Sequence, residues 1–392
     1  MAPPPQSSDA YEHCSCAYSD QGLCGSCTLL HTPRGQRLAT KRNLLHAQLA
    51  AYGLSDIPCG DMVIPSHPWT SRRKIKLAVT GTTSEPRLGI VRRDLSSQDL
   101  CDCPLQPDPI RALLHSLRRA ITALEISPYN ISDRSGELKF VVVMANADMS
   151  EAILRFVLRS SDSVDQIRQL TPSIQHEFPW IRVVSCNLQP IPAAIFEGPE
   201  EIGITSETFI EELYGATPLF FTPQSFMQVT PEIATQLYRY VAEWASSFNF
   251  SEALDLFCGV GGFSLHLAPS VGAITGIELS PSAIASASRS SQRLGFRNTS
   301  FVSSDVETYL NTMSLKPDLI VANPPRRGLS QPILEKIIHV APQAIAYSSC
   351  NTETFARDAI SLSRCYSLTK IQPFDMFPLT SHCEVVGTFL RR

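Results

Sequence analysis

The sequence predicts an α/β protein whose C-terminal part is a Rossmann-like, doubly wound sheet of seven strands. From about residue 220, short apolar runs alternate with helix-like segments, which is the pattern of parallel strands joined by crossover helices. A glycine-rich turn follows the first of these strands, and polar residues follow the next ones. An α+β domain and a cysteine-rich segment are expected ahead of this sheet.

The seven strands are placed by their apolar runs and by the turns between them. Helix-like segments separate the first five, so these are expected to lie parallel. Nothing helical separates the last two, which predicts an antiparallel hairpin at one end of the sheet. The strand candidates are residues 253–257, 273–277, 299–302, 318–322, 344–347, 366–373 and 385–390.

Residues 60–220 are predicted to form the α+β domain, and a helix over 34–52 precedes it. The basic run 72–76 stands at the start of its first strand. Lysine and arginine side chains that alternate out of a strand could contact phosphates, and a solvated sheet face explains them equally well. The other predicted elements are strands 74–80, 87–91, 137–144, 151–159, 181–187 and 201–205 and helices 109–125 and 164–178.

Composition describes an ordinary globular protein, with 43% hydrophobic residues, 18% charged residues and a net charge of −4 at pH 7. Nucleic-acid binding would therefore depend on local basic patches. No apolar run is long enough to cross a bilayer and the N-terminus lacks signal-peptide features, so we expect a cytoplasmic protein with no membrane and no obligate protein partner. The expected division is a disordered tail (1–13), a cysteine-rich segment (14–59), the α+β domain (60–220) and the C-terminal domain (221–392).

Seven of the twelve cysteines lie within the first 103 residues, and a chain without an export signal is not expected to use them as structural disulfides. Cys24 and Cys27 form a C-x2-C pair that can reach one metal centre, and Cys16 adds a third thiolate. The segment 101–104, which holds two more cysteines, is the source expected for a fourth ligand. Zinc and an iron–sulfur cluster both accept such ligands. The alternative is a set of reduced surface thiols.

The glycine-rich turn after the first C-terminal strand predicts a nucleotide site. Gly259 and Gly262 let the backbone pass close to a ligand at a helix N-terminus. Glu278 ends the next strand, where a carboxylate can accept ribose hydroxyls, and Asp305 follows the third strand, where it could hold an adenine amine. The turn departs from Gly-x-Gly-x-x-Gly, and Asn323-Pro-Pro follows the fourth strand, so S-adenosylmethionine is favoured over NAD.

A second group of residues at the same edge predicts the chemistry. Arg326 follows the Pro-Pro pair, where amine methyltransferases usually carry an aromatic residue, so an anionic or carbonyl-rich target is favoured. Cys350 follows the fifth strand, and Glu384 begins the last one. Cysteines at strand ends are more often buried packing residues than nucleophiles, and only the joint placement of this thiol and this carboxylate argues for catalysis.

This set matches methylation at C5 of uracil. Because that carbon is weakly nucleophilic, a thiolate from Cys350 would first add to C6 and convert the ring to an enolate. Glu384 would then remove the C5 proton, and Arg326 would stabilise the enolate charge. The uridine must leave its stack to present C5 and C6, so base flipping is expected.

Five motifs together resemble one family: Phe226-Met227-Gln228, Asp255-Leu256-Phe257-Cys258-Gly259, Asn323-Pro324-Pro325-Arg326, Ser348-Ser349-Cys350-Asn351 and Phe377-Pro378-x-Thr380-x-His382-x-Glu384. The chain resembles the RNA uracil-C5 methyltransferases, which modify tRNA and 23S rRNA, from Cys16 to its C-terminus. The resemblance implies that Cys350 is the nucleophile and Glu384 the base. It further implies contacts to S-adenosylmethionine or the target base from Gln228, Phe257, Glu278 and Asn323. An aspartate usually precedes the Pro-Pro pair in this family, whereas this chain has an asparagine there, as one ribosomal subgroup does.

The cysteines narrow the resemblance to members that act on 23S rRNA, the implied partner. Cys16, Cys24, Cys27 and Cys103 match the ligands of the [4Fe-4S] cluster in ribosomal members, which favours iron–sulfur over zinc. The cluster is expected to be structural, because its cysteines lie in a different domain from the catalytic edge. The alternatives are the same reaction on tRNA or on another 23S rRNA uridine, an amine methyltransferase, and a non-catalytic iron–sulfur RNA-binding protein.

Overall fold

The computed structural model describes residues 15–66, 72–192, 195–314 and 316–392. The predicted tail 1–13 and Cys14 lie outside the described residues. Within these ranges the chain forms two seven-stranded sheets and a separate two-stranded one. None of the helices in the same ranges is both long enough and apolar enough to cross a membrane.

The first half of the described chain forms one sheet covered by helices. Its elements are α1 (Ala17–Asp20), α2 (Arg34–Ala51), β1 (Lys74–Gly81), β2 (Pro86–Val91), β3 (Ser97–Asp99), α3 (Asp108–Ala123), β4 (Leu138–Ala145), β5 (Ala152–Leu158), α4 (Val164–Glu177), β6 (Ile181–Leu188) and β7 (Glu200–Gly203). The strand order is β3-β2-β1-β4-β5-β6-β7. Only β5 and β6 pair in parallel among these strands, because α4 carries the chain back between them.

The strands and helices predicted between β1 and β7 are confirmed. Strand β3 is an additional strand that was not predicted. Its sequence, Ser-Gln-Asp, has no apolar alternation to signal a strand. Helix α3 was recognisable because Ile110, Leu113, Leu117 and Ile121 repeat at helical spacing, and all four are fully buried against the sheet.

The basic run at the start of β1 does not form one exposed row. Ile75 is buried in the core, while Lys74 and Lys76 lie on the opposite face. Lys76 is exposed and pairs with Glu197 at 3.2 Å. Lys74 is covered by the segment around Ser225, to whose carbonyl oxygen its Nζ donates at 2.5 Å, and this burial lowers the pKa of Lys74 to about 8. Neither phosphate contact nor a solvated face describes Lys74.

The second half contains the predicted doubly wound sheet. Its elements are β8 (Ile210–Tyr214), β9 (Thr217–Phe221), α5 (Pro231–Ala245), β10 (Glu252–Leu256), α6 (Gly262–Leu267), β11 (Ala273–Glu278), α7 (Pro281–Leu294), β12 (Thr299–Ser303), α8 (Val306–Thr312), β13 (Leu319–Ala322), α9 (Gln331–Val340), β14 (Ala344–Ser349), α10 (Thr352–Leu362), β15 (Tyr366–Phe374) and β16 (Glu384–Arg391). The strand order is β12-β11-β10-β13-β14-β16-β15. The first five strands are parallel, and β16 runs antiparallel to both of its neighbours. The seven-stranded sheet and its terminal hairpin are thus confirmed.

The hairpin of β8 and β9 was not predicted. Gly215, with φ of 65°, turns the chain between the two strands. Ile210, Tyr214 and Phe221 are buried in one core with α5 and with the helices and strands of the second sheet. The same core includes Met144 and Ile153 of the first sheet, so the hairpin contributes to a core that both halves of the molecule share.

An N-terminal segment extends the second sheet at its β15 edge. The backbone of Ile371 donates to Pro58 and receives a bond from Gly60, each at 2.9 Å, and Val63 donates to Pro373 at 3.0 Å. Leu45 and Leu49 of α2 are buried in the core formed by α10 and the second sheet. Residues from the start of the chain therefore lie against the C-terminal sheet.

Candidate active site and cysteine cluster

The turn after β10 approaches open space. Phe257, Gly259 and Gly261 have positive φ values of 64°, 53° and 87°. Glycine tolerates this left-handed backbone, whereas for Phe257 it costs about 1 kcal/mol, and such strain is concentrated at functional turns. A Cβ placed on Gly259 would meet no atom of the described chain within 4 Å. The turn therefore leaves room for a ligand beside its backbone.

Glu278, Asp305 and Asn323 stand at the ends of β11, β12 and β13, which share the sheet with β10. Because these strands are parallel, the three residues lie at the same carboxyl edge as the turn. Glu278 Oε2 accepts the backbone N–H of Gly259 at 3.2 Å. Asp305 Oδ1 accepts the N–H of Thr308 at 3.0 Å and so caps α8. Carboxylates around a glycine turn that leaves room beside its backbone suit the ribose and adenine of S-adenosylmethionine.

Two residues at this edge were missed by sequence reasoning. Leu279, directly after Glu278, is 68% exposed and offers an apolar surface beside the carboxylate. Tyr238 packs against the turn, and a Cβ on Gly262 would come within 2.5 Å of the Tyr238 ring. Gly262 is therefore required by packing. This contact has no local sequence signal, because α5 carries Tyr238 to the turn from another part of the chain.

Cys350 and Glu384 are brought together by the pairing of β14 with β16. The ladder ends with Ser349 opposite Val385, and one further step on both strands sets Cys350 opposite Glu384. Cys350 is half-buried, and Glu384 is 2% exposed. The Oγ of Ser348 donates to Glu384 Oε1 at 2.6 Å and fixes that carboxyl group. The thiol and the carboxyl predicted from the sequence therefore meet at one place.

The site shifts the pKa values of both groups. Burial raises the pKa of the Cys350 thiol, as does the charge of Glu384, while the positive charge of Arg326 opposes the shift. Burial raises the pKa of Glu384 to about 7, and the hydrogen bond from Ser348 opposes that shift. A carboxyl group that is half ionised near neutral pH is well suited to accept a proton.

A cavity of about 390 Å³ opens beside Cys350. Arg326, His382 and Cys383 line it on the catalytic side, and helix α2 forms the facing wall. The carbonyl oxygen of Arg326 accepts a hydrogen bond from Asn351 Nδ2 at 3.2 Å, which holds the loop after the Pro-Pro pair beside Cys350. The residues that α2 contributes to the wall are Lys41, Leu44, Leu45 and Gln48.

Four of the N-terminal cysteines, Cys16, Cys24, Cys27 and Cys103, line a second cavity, of about 460 Å³. Arginine and lysine side chains line it too, and none of the described residues of the lining is a carboxylate or an imidazole. Cys101 is instead buried in the core, with its Sγ directed at Asp99 (3.6 Å). In the described chain, no three cysteine, histidine or carboxylate side chains are spaced to hold a single metal ion. Any metal centre in this cavity would therefore have thiolates as its ligands among the described residues.

The cysteine segment, which was expected to lie in a different domain from the edge that carries Cys350, contacts a loop beside that edge. The backbone N–H of Leu29 donates to Leu379 at 3.0 Å, and Leu379 belongs to the loop between β15 and β16. Leu30 and Leu379 form a small buried cluster against which Cys16 and Cys27 pack. The cysteine segment thus touches the loop that leads into Glu384.

Comparison with known proteins gives consistent results. A family model described as tRNA (Uracil-5-)-methyltransferase matches residues 219–392. The 23S rRNA (uracil(747)-C(5))-methyltransferase RlmC of Shewanella baltica strain OS185 is 41% identical over 383 residues, covering 96% of this chain and 97% of the relative. The protein of that name from Cronobacter sakazakii is 39% identical, covering 96% and 99%.

A solved structure shares the fold. The crystal structure of Pyrococcus abyssi tRNA (uracil-54, C5)-methyltransferase in complex with S-adenosyl-L-homocysteine matches with a TM-score of 0.76 and 25% identity. The match covers 93% of this chain and 85% of that one. Since relatives well above 30% identity align over nearly their whole length, the chain belongs to the family of S-adenosylmethionine-dependent RNA uracil-C5 methyltransferases.

Proposed function

We propose that this protein methylates C5 of one uridine in 23S rRNA. The observation that carries the proposal is the placement of Cys350 opposite Glu384 on neighbouring strands, with Cys350 lining a cavity large enough for a pyrimidine. The 23S rRNA substrate is supported by the names of relatives that align over nearly the whole chain. Such a substrate would place the enzyme in the cytoplasm.

The residues of the site account for each step on the RNA. The Cys350 thiolate bonds to C6 of a flipped uracil, and the ring electrons move toward O4. Arg326 stabilises the charge that develops on the ring. Once C5 carries the methyl group, Glu384 takes the C5 proton, the C5–C6 double bond forms again and the thiolate leaves C6. The methylated RNA is then released, and the enzyme is ready for another cycle once Glu384 has passed its proton to water.

The methyl donor is S-adenosylmethionine, which supplies an electrophilic methyl group when bound. We assign its site to the edge formed by Gly259, Glu278, Asp305 and Asn323, with Phe257 and Gln228 contacting it or the target base. Gly259 provides the approach, and Glu278 provides acceptors for hydroxyl groups. The exposed face of Leu279 adds an apolar surface for the adenine.

The domain division expected from the sequence is part of the proposal. Segment 14–59 would hold the metal centre, residues 60–220 would bind RNA and supply Cys103, and residues 221–392 would carry out methyl transfer. The first seven-stranded sheet, which ends with β7 at Gly203, and the family match over 219–392 support the separation of the last two parts.

We also propose that Cys16, Cys24, Cys27 and Cys103 bind a [4Fe-4S] cluster, with zinc as the alternative. Cys103→Ser should abolish the brown colour and lower the iron and sulfide content of anaerobically purified protein, because it removes one of four ligands. Cys101→Ser is the matched control, since that thiol is buried beside Asp99, and it should keep the cluster. Full iron and sulfide content in Cys103→Ser, or zinc in place of both, would contradict the assignment.

The substrate is tested by methyl transfer to unmodified 23S rRNA and to unmodified tRNA. We expect methyl incorporation into 23S rRNA alone, and digestion followed by mass spectrometry should find 5-methyluridine. Activity confined to tRNA would overturn the rRNA substrate and leave the chemistry intact. A methyl group on a base amine would overturn the C5 chemistry itself, and no transfer to either RNA would favour a non-catalytic RNA-binding protein.

A further inference from the structure

We propose that Lys41 of helix α2 is a positioning residue for methylation, which holds in place the loop that delivers Glu384. The inference rests on the proposed function, because it assigns Glu384 the removal of the C5 proton. The loop in question covers residues 375–383, between the last two strands, and is called here the delivery loop.

Lys41 binds the first residues of the delivery loop. Its Nζ forms an ion pair with Asp375 and donates to the carbonyl oxygen of Phe377 at 2.7 Å. The side chains of Lys41 and Asp375 are 0% and 6% exposed. Burial lowers the pKa of Lys41, and the Asp375 carboxylate opposes that shift. An ion pair this enclosed is strongly directional, because neither charge has water as an alternative partner.

The helix that carries Lys41 is anchored to the sheet. Lys41, Leu45 and Leu49 lie four residues apart and therefore share one face of α2. Leu45 and Leu49 are 1% and 2% exposed in the core beneath the sheet. The core therefore holds in place the helix that carries the Lys41 ammonium group, as a positioning role requires.

The other hydrogen bonds from outside the loop to its first half are neutral. The backbone of Asp375 donates to Val63 at 2.7 Å. Thr230 Oγ1 donates to the carbonyl of Met376 at 2.9 Å, and the backbone of Leu29 donates to Leu379 at 3.0 Å. A neutral hydrogen bond contributes less than a bond to a charged group. In the described chain, Lys41 is the only ammonium or guanidinium group within 4.0 Å of a loop carboxylate. Its removal should therefore loosen the loop that leads into Glu384 more than the loss of any one of the neutral bonds.

The two halves of the catalytic pair should respond differently to a loosened loop. Cys350 follows β14, in the interior of the sheet, and depends on the delivery loop only through the shared cavity. Glu384 is the first residue after the loop. Addition of the thiol should therefore persist while proton removal slows, so the covalent enzyme–RNA adduct should accumulate relative to product.

The test compares Lys41→Met with Arg42→Met, which removes a charge from the exposed neighbour on the same helix. At saturating 23S rRNA with unmodified uridine, Lys41→Met should turn over at least about tenfold more slowly. Its adduct-to-product ratio, read from denaturing gels and methyl incorporation, should rise by a similar factor. Arg42→Met should match the wild type in both.

A second variant guards against misfolding. Removing one partner of a buried ion pair leaves the other charge buried without a partner, which destabilises the fold. Replacing both partners with apolar residues often preserves the fold. Lys41→Met/Asp375→Leu should therefore melt close to the wild type and show the same raised adduct-to-product ratio. A folded double variant with a wild-type ratio, or one that loses adduct and product together, would overturn the positioning role. If the wild-type enzyme forms neither adduct nor product, the proposed function fails, and this inference fails with it.

Discussion

Replacing Cys350 with alanine should abolish methylation of the target uridine. The expected loss in turnover is on the order of 10³-fold or more, because without addition at C6 the C5 carbon stays too weakly nucleophilic to take a methyl group. RNA carrying 5-fluorouridine at the target provides a second measurement. The wild-type enzyme should be trapped as a covalent adduct, because fluorine cannot leave C5 as a proton, and Cys350→Ala should form none.

The matched control is Cys365→Ala, which removes an exposed thiol at the start of β15. This variant should keep both the wild-type turnover and the trapped adduct. The covalent mechanism would be refuted by a Cys350→Ala enzyme that methylates at the wild-type rate, or by an adduct that survives in it. Binding of S-adenosylmethionine to the alanine variant, measured by calorimetry, should be unchanged, since the methyl-donor edge is built from other strands.

The placement of Cys350 and Glu384 at one edge of the sheet was predictable because each residue stands at the end of a strand. Their meeting was expected on the condition that the last hairpin doubles back at that edge, and the structure meets the condition by placing β16 between β14 and β15. The methyl-donor edge follows in the same way, since parallel strands end on one side of a sheet. Contacts between residues at strand ends could be predicted, because the alternation of strands and helices determines which residues share an edge of the sheet.

Prediction failed where the contact depends on tertiary packing alone. Lys41 and Asp375 are 334 residues apart, and nothing near either residue signals the other. Residue spacing alone left Cys101 and Cys103 open as the source of a fourth ligand, and only the family resemblance selected Cys103, which lines the cavity while Cys101 is directed at Asp99. The hairpin of β8 and β9 was missed because its apolar residues are recognisable only as part of the core they complete.

Replacing Glu384 with glutamine should stall the enzyme after the methyl group has been transferred. The amide can still accept the hydrogen bond from Ser348, so the fold should be kept, but it cannot take the C5 proton. Turnover should fall by about 10² to 10⁴-fold. Unmodified RNA should accumulate as a methylated covalent adduct, which mass spectrometry can identify. Release of product at the wild-type rate would show that another group removes the proton.

The pH dependence of the two reaction steps should distinguish the role of Cys350 from that of Glu384. With the pKa of Glu384 near 7, the carboxylate needed for proton removal is scarce at pH 6 and dominant at pH 8, so adduct breakdown in the wild-type enzyme should accelerate as the pH rises through about 7. Glu384→Gln should lose this dependence. The same substitution removes a negative charge that raises the pKa of Cys350, so adduct formation should begin at lower pH than in the wild type. Rapid-quench measurement of adduct formation and adduct breakdown across pH 5.5–9 tests this coupling. If Glu384→Gln leaves the pH profile of adduct formation unchanged, the charge of Glu384 does not affect the Cys350 thiol.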